Sequence, residues 1–415
     1  MNKPIVAIEI SHRAVKLVVG YVLDNQPVVL HTGFQLIPNA LRSGEIVDAP
    51  LVSEAIKSLV AAIPSNILLK PEDAILALPS IGLQVFQAER SSTVVSPVGK
   101  VEQIDVKNVI NIIRKDANVD NATVVSIVPE LYVLEKGQEF ARAPIGMDSA
   151  SLSITAKIHI LPTHICDCYS DVVNGSGIKV RKAFAETYAL SKLYANYHNL
   201  PDQYLLIDMG EEKTTASLIA GGKLFASTYV MKGGKNLASL VAERLGLSLK
   251  DAQRIIENYG RDKTVCSLKA KIASTSAFDQ VARAIYLNDL SDVIDQWLVA
   301  YYGDINRTIR QLVNEQNNSR INEYPLVFTG GMIHINGLQA AFNQQYSDRQ
   351  IIFKQPETFG ARNGGMSVVL GLLSAYDHYT SEIGDEKTRV ASVTRDVSNK
   401  KKAKRSANSI GKEEL

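Results

Sequence analysis

The chain has 415 residues, of which 46% are hydrophobic and 21% charged, a composition that excludes an intrinsically disordered protein and provides for two to four folding units. Three cysteines are too few for a disulfide scaffold, and a formal net charge of +2 is too small for a protein that wraps nucleic acid. The charge is uneven, because nine basic and three acidic residues between Lys387 and Leu415 give this tail +6 and leave −4 on the remainder. The sequence contains no run of about 18 apolar residues, so no membrane span is predicted.

The first predicted elements are three short strands within residues 4–36, where β-branched runs alternate with polar turns. A helix is predicted over 48–62, and a buried strand begins at Asp73. Between about residues 84 and 162 the pattern changes to short strands around one helix at 101–117. This change predicts a small α+β subdomain inserted into a larger fold.

A second group of three strands begins at Tyr204 and resembles the first. In both groups an acid follows a buried strand and a small residue stands two positions later, so that Glu9 corresponds to Asp208 and Ser11 to Gly210. This similarity indicates an internal repeat, although any two β-hairpins can look alike to this extent.

The rest of the chain is predicted to be mainly helical. A helical region over 238–316 precedes a strand that ends in Gly330 and Gly331, and a helix follows near 336–346. The last apolar helix lies within 364–379. Beyond about residue 384 the chain is polar and basic, which predicts a disordered tail.

The two strand-end acids and the paired glycines predict a nucleotide site. An acid at the end of a buried strand, followed by a tight turn, presents backbone N–H groups to phosphate and a carboxylate to hydrated Mg²⁺. Two such turns that face each other would clamp a polyphosphate, and Gly330 and Gly331 would let an adenosine approach the backbone. The order of these segments is that of the actin and Hsp70 type of ATPase. It predicts an α/β, actin-like (ribonuclease H-like) fold of two lobes with the small α+β subdomain inserted.

The sequence resembles the FtsA family of bacterial division proteins, part of the actin-like superfamily, over nearly the whole chain to about residue 377. The segments that carry the resemblance are ALRSGEIVDAPLVSEAIKSLV, IVPELYVLEKGQEFARAPIGMDSASLSITAKIHIL, VMKGGKNLASLVAERLGLSLKDAQRIIENYG, LVFTGGMIHINGL and FGARNGGMSVVLGLL. The resemblance implies lobe 1 over 1–83 with its return helices at 163–200, the inserted subdomain over 84–162, lobe 2 over 201–383 with a helical subdomain at about 236–322, and a disordered basic tail over 384–415.

The resemblance also implies a site for ATP and Mg²⁺. Lys16 is expected at the β- and γ-phosphates, Asp208 at Mg²⁺ through water, and Gly233 with Gly234 beneath the ribose. The expected nucleotide-binding residues are Glu9, Ser11, His12, Lys16, Asp208, Gly210, Thr214, Thr215, Gly233, Gly234, Lys235, Gln253, Gly330, Gly331 and Met332.

Several positions depart from the family pattern. Ser11 and His12 stand where glycine and a small hydroxyl residue are usual, and residues 211–213 (Glu-Glu-Lys) replace a glycine-rich turn. Two adjacent carboxylates would repel a triphosphate unless they turn outward or reach the metal. The sequence identifies no general base, so we expect an ATP-binding protein with weak or no ATPase activity.

The family resemblance further implies partners and a location. A protein of this kind would form filaments, bind the C-terminal tail of FtsZ, and contact other division proteins through the inserted subdomain, with no nucleic-acid partner. It would be cytoplasmic, at the inner face of the membrane at the division site. Arg307 and Arg310 are candidates for binding an acidic tail, whereas Trp297 is expected in the core. The basic tail lacks the apolar face of an amphipathic helix, so weak contact with anionic lipid is expected of Lys400, Lys401, Lys402, Lys404 and Arg405.

Two other functions remain open. A PilM-like adaptor in pilus or secretion assembly has the same fold and tolerates residues such as Glu211 and Glu212 after Asp-x-Gly, although the PIGM-type segment favours FtsA. A sugar kinase of the related fold would need a catalytic aspartate and a sugar-binding loop, and no segment has those features. The sequence contains no P-loop motif, and its seven histidines lack zinc spacing.

Overall fold

A computed structural model describes residues 3–67, 71–117, 119–275 and 283–384 of the chain. The predicted lipid-contacting residues of the basic tail lie outside this part of the chain and stay a prediction. Within the described ranges, no helix has both the length and the apolar character needed to cross a membrane.

The first half of the chain forms lobe 1 and the inserted subdomain. Its elements are β1 (Ile5–Ile10), β2 (Ala14–Leu23), β3 (Gln26–Leu36), β4 (Leu41–Arg42), β5 (Glu45–Ile46), α1 (Ala49–Ala61), β6 (Asp73–Leu78), β7 (Gln84–Thr93), α2 (Gln103–Asp116), β8 (Ala122–Leu134), β9 (Glu139–Phe140), β10 (Ser151–Pro162), α3 (Thr163–Gly175), β11 (Lys179–Ala185) and α4 (Glu186–Tyr194).

Lobe 1 is built on a five-stranded sheet in the order β11-β6-β1-β2-β3. β1 pairs antiparallel with β2 and parallel with β6, and it is almost entirely buried, as expected for a strand with packed elements on both faces. The helix α1 begins where the Asp48 side chain accepts a hydrogen bond from the Leu51 N–H at 3.0 Å, an arrangement that satisfies a free amide of the first turn.

The inserted subdomain is a four-stranded sheet in the order β7-β10-β8-β9, covered by α2. Alternate residues of β10, from Leu152 to Ile160, share a core with the apolar stripe of α2. Apolar residues recur at every second position of the strand and at every third or fourth position of the helix, so each element presents one apolar face to the other.

The second half of the chain forms lobe 2 and the closing helix. Its elements are β12 (Gln203–Met209), β13 (Thr214–Ala220), β14 (Lys223–Val230), α5 (Gly234–Leu245), α6 (Leu249–Tyr259), β15 (Lys271–Ser274), β16 (Ala284–Tyr286), α7 (Leu287–Gln316), β17 (Leu326–Thr329), α8 (Leu338–Gln345), β18 (Ile351–Phe353) and α9 (Ser367–Ile383).

The sheet of lobe 2 repeats the topology of lobe 1. Its order is β14-β13-β12-β17-β18, with the first two pairings antiparallel and the last two parallel. The lobe 1 sheet has the same pattern when it is read from β3 to β11. Glu9 and Asp208 each stand one residue before the end of the central strand, and Ser11 and Gly210 each begin the turn that follows. The predicted internal repeat and the two-lobed α/β fold are confirmed.

Two elements differ from the sequence-based expectation. The region predicted as helical over 238–316 also contains the β15–β16 hairpin, whose strands are too short to give a clear alternation. The helix α9, assigned to lobe 2 by the division at residue 383, instead packs in the core of lobe 1. There it crosses α4 so closely that a Cβ on Gly371 would lie 2.4 Å from the Ala189 carbonyl oxygen.

Trp297 lies in the core of lobe 2, as expected. Its ring is stacked on that of Tyr301 with 4.1 Å between centroids, and it is 6% exposed. The long helix α7 thereby anchors its apolar face against the lobe 2 sheet.

The inserted subdomain contacts both lobe 2 and the end of α9. The Lys157 ammonium lies 4.0 Å from the centre of the Phe225 ring on β14. At α9, Gln103 donates to the Glu382 carbonyl at 3.2 Å, and the Tyr132 hydroxyl donates to the Glu382 carboxylate at 2.8 Å. The insert is therefore fastened at two separate places.

Candidate nucleotide site between the lobes

A cavity of about 540 Å³ lies between the two lobes, within the size range of small-molecule sites. Its walls include the β1–β2 turn, the β12–β13 turn, Gly330 with Gly331, and Gly364 with Gly365. All four are loops at the ends of sheet strands or helices, where backbone groups are open to a ligand.

The two hairpin turns are structurally equivalent. The Ser11 N–H donates to the Ala14 carbonyl at 2.9 Å, and the Gly210 N–H donates to the Lys213 carbonyl at 3.0 Å. The Ser11 hydroxyl adds a bond to the same Ala14 carbonyl at 2.8 Å. This hydroxyl stabilises a turn that lacks the usual glycine.

Glu9 and Lys16 form a buried pair at the end of β1. The Lys16 ammonium donates to Glu9 Oε1 and to the Gly365 carbonyl, both at 2.6 Å. Burial raises the pKa of Glu9, and the Lys16 charge opposes that rise. The second carboxylate oxygen, Oε2, is buried and has no hydrogen-bond partner among the described residues.

Asp208, the counterpart of Glu9, lies against the glycine loop that follows β17. Burial, reinforced by the nearby Glu186 carboxylate, raises the pKa of Asp208 to about 7. Gly330 has a φ of +94°, and a Cβ there would lie 2.6 Å from Asp208 Oδ1. The strand-end acid and the loop can be this close because residue 330 is a glycine.

Glu186, the first residue of α4, is a third carboxylate on the cavity wall that the sequence reasoning missed. It accepts hydrogen bonds from the Ser80 N–H at 3.3 Å and from the Lys213 ammonium. The signal was available, because Glu186 directly follows the strand Lys179–Ala185, and Glu9 and Asp208 also lie at strand ends, one residue before the last of their strands. It supplies the general-base candidate that the sequence alone did not identify.

Glu211 and Glu212 both line the cavity, and neither turns away into solvent. Burial raises the pKa of Glu211, whose carboxylate accepts from Gln253 at 3.4 Å. Burial also acts to raise the pKa of Glu212, but its contacts with His12 and with the Ser43 N–H outweigh this and lower it to about 2. Glu212 is therefore an anion on the cavity wall at neutral pH.

A buried hydroxyl network lies behind the two glycine loops. The Tyr194 hydroxyl, at the end of α4, is within 2.6 Å of Thr329 Oγ1 and 3.0 Å of Ser367 Oγ. Thr329 precedes Gly330, and Ser367 follows the loop that contains Gly364. One side chain thus connects the segments that carry both loops.

The structure brings most of the predicted nucleotide residues together on the cavity wall. These are Glu9, Ser11, His12, Lys16, Asp208, Gly210, Gly234, Gln253, Gly330, Gly331 and Met332. Four others lie off the wall. Thr214 is buried in lobe 2, where its hydroxyl lies 2.5 Å from the Tyr301 hydroxyl, and Thr215 is buried beside it in β13. The Gly233 N–H is bonded to Asn236, and the Lys235 ammonium lies 3.7 Å from Glu212.

The remaining predicted site residues are those for a metal ion and for a protein partner. The described part of the chain contains no group of three or more His, Cys, Asp or Glu side chains placed to hold a metal ion. Magnesium held by Asp208 through water stays a prediction. Arg307 and Arg310 are exposed on α7, and Arg307 donates to Asp304 at 2.7 Å.

In sequence, the chain is similar to proteins named cell division protein FtsA. It is 22% identical to FtsA of Streptococcus pneumoniae serotype 2 over 334 residues, which cover 80% of this chain and 71% of that protein. It is also 22% identical to FtsA of Enterococcus faecalis over 255 residues, which cover 61% of this chain and 58% of that protein. No family model matches the chain.

Among solved structures, a chain of the PilM-PilN type IV pilus biogenesis complex has a TM-score of 0.61 at 16% identity, covering 90% of this chain and 98% of that one. MreB5 of Spiroplasma citri bound to ADP has a TM-score of 0.53 at 12% identity, covering 92% and 99%. The protein therefore has the actin-like fold, with two equivalent lobes around a cavity. The relatives in sequence are FtsA proteins, which confirms the resemblance to FtsA.

Proposed function

We propose that this protein is a nucleotide-dependent scaffold of bacterial cell division, which binds ATP with Mg²⁺ between its lobes, forms filaments and recruits FtsZ to the cytoplasmic membrane. The observation that carries the proposal is the cavity bounded by two equivalent turns, each preceded by a strand-end carboxylate. The similarity in sequence to FtsA proteins supports the division role.

The residues on the cavity wall fit a nucleotide with a hydrated cation. Glu9 Oε2 is a buried oxygen in need of a partner, and the carboxylate of Asp208 ends the equivalent strand. The glycine loop at 330–331 leaves backbone open to a flat ligand. Bound ATP would supply a polyphosphate that bridges the two turns and so sets the angle between the lobes.

The chain's own side chains would divide the work at this site. Lys16 and Lys213 would neutralise phosphate charge from opposite lobes, and Asp208 would orient water on the cation. Glu186 would hold or accept a proton from a water molecule. The Glu186 carboxylate already accepts a hydrogen bond from Lys213. Because this contact makes it less available to accept a proton from water, we expect hydrolysis to be slow.

The test is calorimetric titration of the protein with MgATP, with phosphate release measured on the same samples. We expect binding by the wild type, at least tenfold weaker binding by Asp208→Asn, and slow or absent turnover. Asp202→Asn, the same chemical change at an exposed position just before β12, is the matched control. Absence of wild-type binding at millimolar ATP would overturn the nucleotide part of the proposal.

Recruitment of FtsZ is tested with a peptide of its acidic C-terminal tail. Fluorescence anisotropy should detect binding to the wild type and weaker binding to Arg310→Ala. The control is Arg320→Ala, at an arginine that is also exposed but lies outside α7. Unchanged binding by Arg310→Ala would show that the peptide does not bind to this face of α7.

A PilM-like adaptor is the second candidate. It is favoured by one observation, that Arg13, Lys16 and Lys213 on the cavity wall already have carboxylate partners. The Arg13–Glu257 and Lys213–Glu186 pairs join the two lobes, whereas Lys16 and Glu9 both belong to lobe 1. A protein that needs no nucleotide would keep its lobes together through the first two pairs. A folded wild type that fails to bind MgATP would support the adaptor, whereas phosphorylation of any sugar would instead indicate a kinase.

A further inference from the structure

Glu212 belongs to lobe 2 but makes its closest contacts with lobe 1. Its carboxylate accepts from the Ser43 N–H at 3.1 Å and from the Gly44 N–H at 3.4 Å, and it lies 3.2 Å from His12 Nδ1. Lys235, from its own lobe, is more distant at 3.7 Å. The side chain therefore connects the two lobes across the cavity.

The lobe 1 partner is a small anion-binding turn. Ser43 and Gly44 form the tight turn between β4 and β5, with φ values of +51° and +79°. Successive N–H groups in such a turn converge on one point and bind an anion there. The Tyr169 hydroxyl donates to the Gly44 carbonyl at 3.1 Å, which fixes the turn.

This turn lies on the wall of the nucleotide cavity. Gly44, His12 and Tyr169 all contribute to the lining. A phosphate oxygen in the cavity and the Glu212 carboxylate would therefore compete for the same two N–H groups. Both groups accept hydrogen bonds through anionic oxygens. The Glu212 carboxylate, however, belongs to lobe 2, whereas the turn belongs to lobe 1.

A second contact between the lobes serves as a comparison. Arg13 of the β1–β2 turn pairs with Glu257 of α6, and both side chains are about half exposed, at 48% and 50%. Glu212 is 15% exposed and hydrogen-bonded to backbone. Exposed pairs of the first kind contribute little to holding two bodies together, so Glu212 is the stronger of these two connections, and the Lys213–Glu186 pair is a further one.

We propose that the Ser43–Gly44 turn is an additional phosphate site of the cavity, that Glu212 occupies it in the nucleotide-free protein and holds the lobes together, and that the terminal phosphate of a nucleoside triphosphate displaces Glu212. This inference rests on the proposed nucleotide function. It explains how a turn with two adjacent carboxylates accommodates a triphosphate, since one carboxylate gives up its position when the ligand arrives.

The experiment compares Glu212→Gln with Glu257→Gln, each of which removes one cavity-lining carboxylate that contacts the other lobe. MgATP affinity should rise at least about tenfold in Glu212→Gln because the charged competitor is gone, and change less than about threefold in Glu257→Gln. Equal changes in both variants, or no gain in Glu212→Gln, would overturn the proposal.

Hydrogen exchange of the backbone amides in residues 41–46 is the second measurement. These amides should exchange faster in nucleotide-free Glu212→Gln than in the wild type, and MgATP should restore their protection. A purely structural role for Glu212 would give no restoration, and unchanged exchange without nucleotide would show that Glu212 does not hold the turn. Either result overturns the proposal.

The two proposals fail in different ways. If neither the wild type nor any variant binds MgATP, the proposed nucleotide function fails and the phosphate site fails with it, while faster exchange in Glu212→Gln still supports the contact between the lobes. If Glu212→Gln does not fold, Glu212→Asp draws the charge back by one methylene and should show the same changes to a smaller degree.

Discussion

Gly330 and Gly331 are neighbours in the loop after β17, yet replacing each by alanine should have different consequences. Gly330 has φ +94° and ψ 178°, a backbone conformation that is essentially restricted to glycine and costs other residues about 1–3 kcal/mol. A Cβ there would also lie 2.5 Å from the Met209 carbonyl oxygen, so β12 or the loop must shift, at a further cost of about 1–3 kcal/mol.

We therefore expect Gly330→Ala to lower the free energy of unfolding by about 3 kcal/mol or more. For a lobe of this size that corresponds to a fall in Tm of about 6–12 °C, measured by circular dichroism. Gly331 has no heavy atom within 4 Å of its Cβ position, so Gly331→Ala should melt within about 2 °C of the wild type.

The Gly331→Ala variant also tests whether the nucleotide approaches this loop. Gly331 lines the cavity, so an added methyl group should weaken MgATP binding, measured by calorimetry, without changing Tm. A Gly330→Ala protein that melts with the wild type would refute the argument from backbone strain. A Gly331→Ala protein that binds MgATP normally would show that the nucleotide does not approach this loop.

Three further outcomes are expected. Glu186→Gln should reduce any phosphate release by a factor of about 10² to 10⁴ and change MgATP affinity less than about threefold, and equal release in both proteins would exclude Glu186 as the base. The pKa of Asp208 is raised from 3.8 to about 7, so its contribution to stability is complete below about pH 4 and is lost as pH rises through 7. Without metal, Asp208→Asn should accordingly melt above the wild type at pH 8 and with it below pH 4, and a difference independent of pH would contradict the assigned pKa. Trp297→Ala should cost about 3–5 kcal/mol in urea unfolding because the ring is buried against Tyr301, whereas a loss below about 1 kcal/mol would place the ring outside the core.

The fold could be predicted because its signals are local and occur in a fixed order. Strand alternation and the turns at Ser11 and Gly210 identify two similar groups of strands, and the structure gives both groups the same sheet order. The place of α9 in lobe 1 could not be predicted in this way. It depends on the close crossing with α4, in which Gly371 approaches Ala189 across a long stretch of intervening sequence.

The candidate site was predicted in part for the same reason. Residues in the recognised loops, such as Lys16 and Asp208, reach the cavity wall. Glu186 was missed because the strand before it, Lys179–Ala185, carries three basic residues, so the segment was assigned to helices. The partner of Glu212 is 169 residues away in sequence at Ser43, and no pattern within either turn specifies that contact.

The position where α9 ends has a consequence for whatever the basic tail binds. Gly384 lies beside α2, because the Glu382 backbone and side chain are both held by the inserted subdomain. The described chain therefore ends beside the insert and not at the mouth of the cavity. A surface that attracts the tail would therefore be tethered to the molecule at the insert, on the α2 side, and not at the cavity.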